Sequence, residues 1–214
     1  MEKRDFIAEM WRKAKRKYYL FRRKGKHYPL WCRLNRIECG ENVRFVGKPF
    51  VKNDGEINIG NGTVINSADW ANPIGGMNRT YFQTTKDGKL EIGNNVGISN
   101  SAITCAVGVT IEDNVLIGAD CKIYDTDFHP LDSVYRYGEH RDDKHIKKKS
   151  IIIKQGAFVG GGSVVLKGSI IGRNSIIGAG SIVSGIIPDG EIWGGAPARF
   201  IKKVSDITGA EETI

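Results

Sequence analysis

The chain has 214 residues, of which 40% are hydrophobic and 27 are glycine, and its formal net charge at pH 7 is +8. This length fits one domain with an appendage. No apolar run approaches the roughly 18 residues that a bilayer span requires, and the start of the sequence lacks the apolar core of a signal peptide. We therefore expect a cytoplasmic protein without a membrane span.

The excess positive charge is confined to the N-terminal segment. Residues 1–36 hold 13 Lys and Arg against 3 Asp and Glu, whereas the remainder holds 19 against 21. Residues 2–24 have the pattern of a basic amphipathic helix, with Ile7, Trp11 and Tyr18 on its apolar face. We expect this helix to pack on its own β-helix or on a neighbouring subunit, with its basic face in solvent. The alternative is peripheral contact of residues 1–24 with an anionic membrane, which would place the protein at the inner face of that membrane. No nucleic-acid recognition motif accompanies the charge, so nucleic acid is not an expected partner.

An aliphatic residue returns at every sixth position between residues 153 and 188. The positions are Ile153, Val159, Val165, Ile171, Ile177 and Val183. A helix repeats near 3.6 residues and a flat strand repeats at 2, so a period of six requires a short strand followed by a sharp corner. The pattern predicts an all-β fold, a parallel β-helix in which three hexapeptides form each coil.

The same repeat begins at Cys39 and is interrupted twice. Residues 67–88 and residues 129–150 lack the period, so we expect both segments to project as loops. The predicted organisation is a basic segment at 1–36, a β-helix domain at 37–203 and a tail at 204–214. Cys39, Cys105 and Cys121 occupy aliphatic or small-residue positions of the repeat, which predicts that they are packing residues.

One of the four histidines lies where a predicted strand meets a projecting loop. This is His129, in the sequence DTDFHP at 125–130. On an extended segment, Asp127 would point to the same side as His129. A carboxylate in that place could orient the imidazole and stabilise the protonated form that a general base becomes.

The repeat, the DTDFHP loop, the run VGGGSVVLKGSIIGRNSIIGAGSIV and the closing GGAPARFIKKV together resemble a known family. It is the left-handed β-helix (hexapeptide-repeat) acyltransferases, and within them the galactoside/maltose acetyltransferase-like sugar O-acetyltransferases of capsule, colanic acid and lipopolysaccharide biosynthesis. The resemblance implies left-handed coils, a homotrimer with acetyl-CoA between neighbouring subunits, and direct acetyl transfer to a hydroxyl of a sugar or glycan, with His129 as the general base. It requires no metal, because a thioester is already activated.

The resemblance also implies which residues bind the two substrates. The residues for the pantetheine arm and the phosphates of acetyl-CoA are Gly161, Ser163, Ala179, Ser181, Arg199 and Lys202. For the acceptor it implies Asn100 with neighbouring Ser99, and Phe158 at a position where many relatives carry Trp. Asp69 and Trp70, in the first loop, are added on chemical grounds, because Trp stacks on sugar rings and carboxylates bind hydroxyls.

Three other functions remain open at the level of sequence. A carbonic anhydrase-like zinc site on the same solenoid requires three converging histidines, but His140 and His145 both lie within the second loop, which disfavours it. A non-catalytic β-helix scaffold would not need the His129 loop. Acylation of an amine on an amino sugar is the alternative within the enzymes, since the residues do not separate an amine from a hydroxyl acceptor.

Overall fold

The computed structural model describes residues 9–14, 28–72 and 79–208. Residues 9–14 are helical, as the amphipathic pattern predicts, and Trp11 is 68% exposed. The other residues of the predicted N-terminal helix, 2–8 and 15–24, lie outside the described residues, as does the end of the predicted tail, 209–214. No helix within the described part of the chain is long and apolar enough to cross a bilayer.

Three sheets form the sides of a triangular parallel β-helix over the described residues. The seven-strand sheet contains β1 (Ile37–Cys39), β4 (Glu56–Ile59), β7 (Lys89–Ile92), β10 (Gly108–Ile111), β13 (Ile151–Ile153), β16 (Ile170–Ile171) and β19 (Ile186–Ile187). The eight-strand sheet contains β2 (Arg44–Val46), β5 (Val64–Asn66), β8 (Gly97–Ser99), β11 (Leu116–Ile117), β14 (Phe158–Val159), β17 (Ile176–Ile177), β20 (Glu191–Gly194) and β21 (Arg199–Lys203). The six-strand sheet contains β3 (Phe50–Asn53), β6 (Tyr81–Thr84), β9 (Ala102–Cys105), β12 (Lys122–Tyr124), β15 (Val164–Leu166) and β18 (Ile182–Val183).

The inward residue of each hexapeptide stacks on its equivalents in the neighbouring coils. In the eight-strand sheet, Ile117 pairs with Ile98 on one side and with Val159 on the other, and all three are at most 2% exposed. The core is therefore a column of aliphatic side chains along the axis, as the sequence period predicted. Cys105 and Cys121 are buried in it and Cys39 is half-buried, and all three thiols are free.

The first projecting segment is shorter than the sequence predicted. Tyr81–Thr84 form β6, which lies between β3 and β9, so the interval 67–88 is not wholly outside the coils. Phe82 and Thr84 fill inward positions at 0% and 1% exposure. The six-residue period did not predict this strand, because the insertion after Asn66 changes the phase of the repeat.

The second interruption does project from the coils. Each of residues 131–150 is exposed or half-buried. The segment contains the short helix α2 (Ser133–Arg136) and two 3-10 turns, Gly138–His140 and Asp143–His145.

Helix α1 (Pro29–Leu34) and strand β21 cover the two ends of the stack. The Trp31 ring in α1 lies edge-on to Phe45, 5.4 Å between centroids, and Asn53 donates to the carbonyls of Asn35 and Arg36 just after the helix. At the other end, β21 runs antiparallel to β20 and leads into α3 (Ser205–Thr208). Both elements protect strands that would otherwise present open edges.

Candidate active site

The corner at which the second loop begins contains a buried carboxylate. Asp125, immediately after β12, is 0% exposed. Its two oxygens accept hydrogen bonds from the backbone N–H groups of Ala106, Val107 and Gly108 at 2.7, 2.7 and 2.8 Å. Three donors compensate a charge that would otherwise be costly to bury. The sequence predictions did not include Asp125, although its position two residues after inward-facing Ile123 indicates that it points inward.

His129 follows a tight turn of the backbone. Phe128 has φ of +63°, and the N–H of His129 donates to the carbonyl of Asp127 at 2.7 Å. The hydroxyl of Thr126 accepts from the N–H of Phe128 at 3.2 Å. The His129 side chain is exposed, and it makes no hydrogen bond or ion pair with any residue that the structure describes. The imidazole is therefore available to an incoming group.

The carboxylate of Asp127 contacts Lys167 instead of His129. Lys167 Nζ lies 2.5 Å from Asp127 Oδ1, whereas Asp127 Oδ2 is buried and has no hydrogen-bond partner among the described residues. The expectation that Asp127 orients His129 assumed an extended segment. The positive φ of Phe128 turns the chain between them, so the same-side rule for strands does not apply. Lys167 was not predicted, since nothing in its local sequence marks it as a partner of residue 127.

The returning end of the loop is bonded to this corner. Lys148 forms an antiparallel bridge with Thr126, with Asp127 N–H donating to the Lys147 carbonyl at 3.0 Å and Lys149 N–H donating to the Asp125 carbonyl at 2.9 Å. Lys149 in turn accepts from the N–H of Gly168 in the next coil at 2.9 Å. The backbone that carries His129 is thus fixed from two sides.

Aromatic and cationic side chains also hold the start of the loop. The ring of Tyr124 lies edge-on to that of Phe128, 5.1 Å between centroids, and burial raises the pKa of the Tyr124 phenol, which keeps it protonated. The guanidinium of Arg136 donates to the carbonyls of Pro130 and Leu131. These contacts limit the conformations open to the residues on either side of His129.

His145, another histidine of the second loop, contacts residues of the same loop. His145 stacks on Tyr135, 3.6 Å between ring centroids, and its Nε2 lies 3.7 Å from Asp142. No group of three or more His, Cys, Asp or Glu in the described part of the chain is arranged to hold a metal ion.

The predicted acceptor residues Asn100 and Ser99 lie against the base of the first loop. Asn100 is 1% exposed, its Nδ2 donates to the Ala68 carbonyl at 3.1 Å, and its Oδ1 is buried with no partner among the described residues. The Ser99 hydroxyl accepts from Asn66 Nδ2 at 3.0 Å. Asn100 thus supports the loop and does not face solvent, whereas the Ser99 hydroxyl bonds to the neighbouring strand β5, and the sequence predicted neither contact.

The other predicted acceptor residues are more accessible. Asp69 is exposed, and its Oδ1 accepts from the N–H of half-buried Trp70 at 2.8 Å. Asn100 donates to the Ala68 carbonyl, so Asp69 and Trp70 follow in the chain directly after the residue that Asn100 contacts. Phe158 is 42% exposed on the outer side of β14 and pairs with Leu116 and Ile176. No hydrogen bond in the described residues joins these groups to the His129 turn.

The residues predicted for acetyl-CoA fall into two groups. Ser163 and Ser181 are fully buried, and their hydroxyls donate to corner carbonyls, at 2.7 Å from Ser163 to Gly160 and at 2.5 Å from Ser181 to Gly178. These hydroxyls stabilise corners and do not face a ligand. Gly161 is half-buried and Ala179 is exposed, and a ligand can approach the backbone of both residues.

Arg199 and Lys202 lie on β21 at the C-terminal end of the solenoid. Both are exposed. Arg199 donates to the Ala198 carbonyl at 3.2 Å, and neither side chain forms an ion pair among the described residues. Both cations are therefore free to meet phosphate groups.

Comparison with known proteins supports the fold. A family model described as "Bacterial transferase hexapeptide (six repeats)" matches residues 150–185. No curated protein sequence matches the chain.

Several solved structures are similar to this one. A variant of AntD, an N-acyltransferase from Bacillus cereus, in complex with dTDP-4-amino-4,6-dideoxyglucose and coenzyme A, is 21% identical with a TM-score of 0.68, covering 86% of this chain and 95% of that one. AntD in complex with dTDP and 3-hydroxybutyryl-CoA is 19% identical with a TM-score of 0.66, covering 86% and 94%. A hexapeptide-repeat-containing acetyltransferase from Vibrio cholerae is 25% identical with a TM-score of 0.51, covering 92% of both chains. The three parallel sheets thus match the fold of hexapeptide-repeat, left-handed β-helix acyltransferases.

Proposed function

We propose that this protein is an acetyl-CoA-dependent O-acetyltransferase that acts on a sugar or glycan hydroxyl. The observation that carries the proposal is His129, an exposed imidazole without a partner in the part of the chain that the structure describes, on a turn at the corner of a hexapeptide-repeat solenoid. The fold and the matched repeat at 150–185 support transfer of an acyl group.

In this mechanism His129 is the general base. The neutral imidazole accepts the proton of the acceptor hydroxyl while that oxygen attacks the thioester carbonyl; the C–S bond then breaks, and the imidazolium returns its proton to the departing CoA thiolate. Proton transfer of this kind contributes typically ~10²–10⁴-fold to the rate. None of the four cysteines is an exposed nucleophile, which supports direct transfer in a ternary complex.

Residues at corners and at the C-terminal end would bind acetyl-CoA. Solved structures of similar fold contain coenzyme A or acetyl-CoA. In this chain, the accessible backbone at Gly161 and Ala179 suits the pantetheine arm, and exposed Arg199 and Lys202 suit the phosphates. We also propose a homotrimer, in which this groove is completed by the neighbouring subunit.

A specific comparison favours a second candidate, N-acylation of a nucleotide-linked amino sugar. The AntD variant was solved with dTDP-4-amino-4,6-dideoxyglucose, and its fold matches most of this chain. A neutral amine is a better nucleophile than a hydroxyl and needs less help from a base. The dependence of the rate on His129 therefore distinguishes the two acceptors.

The test is acceptor-dependent release of CoA thiol from acetyl-CoA. The acceptors are free, nucleotide-linked and lipid-linked sugars, each tested with a hydroxyl and with an amino group at the acceptor position. Every acceptor is assayed with the native protein and with His129→Ala. We expect release with a hydroxyl acceptor that falls by about 10²-fold or more in the variant, and His140→Ala, a histidine elsewhere in the loop, should retain activity.

Two other results would change the proposal. Release with amines alone, and little affected by His129→Ala, would favour N-acylation. A folded protein that binds no CoA would favour a β-helix scaffold.

A further inference from the structure

Lys167 belongs to the coil that follows the second loop. Tyr124 in β12 pairs with Leu166 in β15, so the corner at 166–168 stacks directly on the corner at 125–127. From there, Lys167 Nζ contacts Asp127 Oδ1 at 2.5 Å. This contact joins the turn that carries His129 to the next coil of the solenoid.

The ion pair is better shielded from water than the other ion pairs on the solenoid. The side chains of Lys167 and Asp127 are 29% and 16% exposed. At a neighbouring corner, Lys154 Nζ lies 3.5 Å from Asp189 Oδ1, and these two side chains are 35% and 57% exposed. Removing one partner of a shielded pair leaves an uncompensated charge. Without Lys167, the Asp127 carboxylate would lose its cation while its Oδ2 already lacks a partner among the described residues.

The turn at 127–129 needs such support. Phe128 has φ of +63°, a conformation that is costly for a bulky side chain and persists only where the surroundings impose it. The contacts that impose it on the Asp127 side are the hydrogen bond to Lys147 and the ion pair with Lys167. Loss of the Lys167 contact would remove one of these two restraints and leave the Asp127 side of the turn held by the Lys147 hydrogen bond alone.

We infer that Lys167 is a positioning residue for acyl transfer: by holding Asp127 it fixes the turn that presents His129 to the acceptor. This inference rests on the proposed function. Lys167 acts through Asp127 and touches neither the acceptor nor the reacting atoms. A small displacement of a catalytic group lowers the rate by up to about 10²-fold without weakening substrate binding elsewhere.

The first test is Lys167→Met in the full chain. We expect kcat to fall by 10-fold to about 10²-fold while KM for acetyl-CoA changes less than twofold. Lys167→Arg should recover most of the rate, because it restores a cation that can reach Asp127. Lys154→Met removes the ion pair with Asp189 at the neighbouring corner, and as the matched control it should keep the native kcat. An unchanged kcat in Lys167→Met, equal loss in the two Met variants, or no recovery with Arg would overturn the inference.

A second measurement keeps the inference separate from the proposed function. Amide hydrogen exchange at residues 127–129 reports the turn whether or not an acceptor is found. We expect at least tenfold faster exchange at the His129 amide in Lys167→Met and in Asp127→Asn than in native protein. Thiol release absent from native protein would contradict the proposed function, whereas unaltered exchange in both variants would contradict the role of Lys167.

Discussion

Asp125 is a charged side chain in a fully buried position, and its role is structural. It fixes the turn at 106–108 beneath the corner from which the His129 loop leaves. Hydrogen bonds to a charged group contribute about 1.5–3 kcal/mol each, more than those between neutral groups. The turn and the loop are therefore coupled through one carboxylate.

Asp125→Ala should destabilise the fold by at least about 3 kcal/mol, because three backbone N–H groups lose their acceptor and one of them, that of Ala106, is buried. Thermal or urea unfolding at one fixed protein concentration measures this change. Asp87→Ala is the control, since Asp87 is an exposed aspartate in the turn before β7, and surface changes of this kind usually stay within about 0.5 kcal/mol. Similar losses in the two variants would contradict the structural role of Asp125.

The thiols should be unreactive in the folded protein. Burial raises the pKa of Cys39 and Cys105 to about 12, and it also raises the pKa of Cys32 and Cys121. A raised pKa leaves little thiolate at pH 8, so we expect alkylation by iodoacetamide to be slow until guanidinium exposes thiols of ordinary pKa, about 8.5. By linkage, these thiols favour the folded state below about pH 8.5, and that contribution declines as pH rises toward 12. Rapid labelling of Cys39 at pH 8, followed by mass spectrometry, would contradict this prediction.

Two neighbouring residues show how far the sequence can predict the site. His129 was predicted at a loop entrance, and the structure places its side chain there with no partner among the described residues. The orientation of Asp127 was not predictable by the same reasoning, because it depends on the positive φ of Phe128 and on Lys167, which is 40 residues further along the chain. Long-range pairs of this kind leave no local pattern.

Some corners of the coils require glycine because the backbone of the next coil lies close to them. Gly160 follows β14, and a Cβ there would lie 2.5 Å from the backbone nitrogen of Ala179 and 2.7 Å from the Ile177 carbonyl oxygen. Gly178 occupies the equivalent corner after β17, where the nearest atom to a Cβ would be 3.6 Å away. Glycine is thus required at residue 160, whereas the corner at residue 178 has room for a larger side chain.

Gly160→Ala should therefore cost about 1–3 kcal/mol of stability, because the rigid backbone of the adjacent coil must shift to admit the methyl group. Gly178→Ala is the matched control, and we expect its unfolding midpoint to stay near the native value. The two midpoints are compared by urea unfolding under identical conditions. An effect of Gly178→Ala as large as that of Gly160→Ala would show that crowding by the next coil is not the cause.

Strands were predictable from the sequence wherever the six-residue phase is continuous. The inward residues from Ile153 to Val183 lie in successive strands, although several of these strands contain only two residues. Strand β6 was missed because the insertion at 67–79 alters the phase before it. Its place is set by its neighbours β3 and β9, which pair with it along its length.

At the scale of the whole molecule, the outer surface of the eight-strand sheet is apolar along one line. Leu116, Phe158, Ile176 and Ile192 are consecutive partners across β11, β14, β17 and β20. Leu116 and Phe158 are 53% and 42% exposed. A contiguous apolar line on a flat sheet is typical of a surface that another protein covers. The sequence predicted association through resemblance alone, whereas the strand register shows which side chains form this apolar line.

We expect the native protein to sediment at about three times the 23.6 kDa of one chain, with the eight-strand sheet in the interface. Leu116→Glu would place a carboxylate in the centre of that face, and burying an unpaired charge is costly enough to shift assembly toward the monomer. Ile186→Glu is the control, because Ile186 is an equally simple aliphatic, 68% exposed, on the outer side of the seven-strand sheet. Sedimentation velocity over a range of concentrations measures both variants. If Ile186→Glu dissociates the protein and Leu116→Glu does not, the subunits meet through the other sheet, and the proposed groove for acetyl-CoA at Gly161 and Ala179 would lose its structural basis.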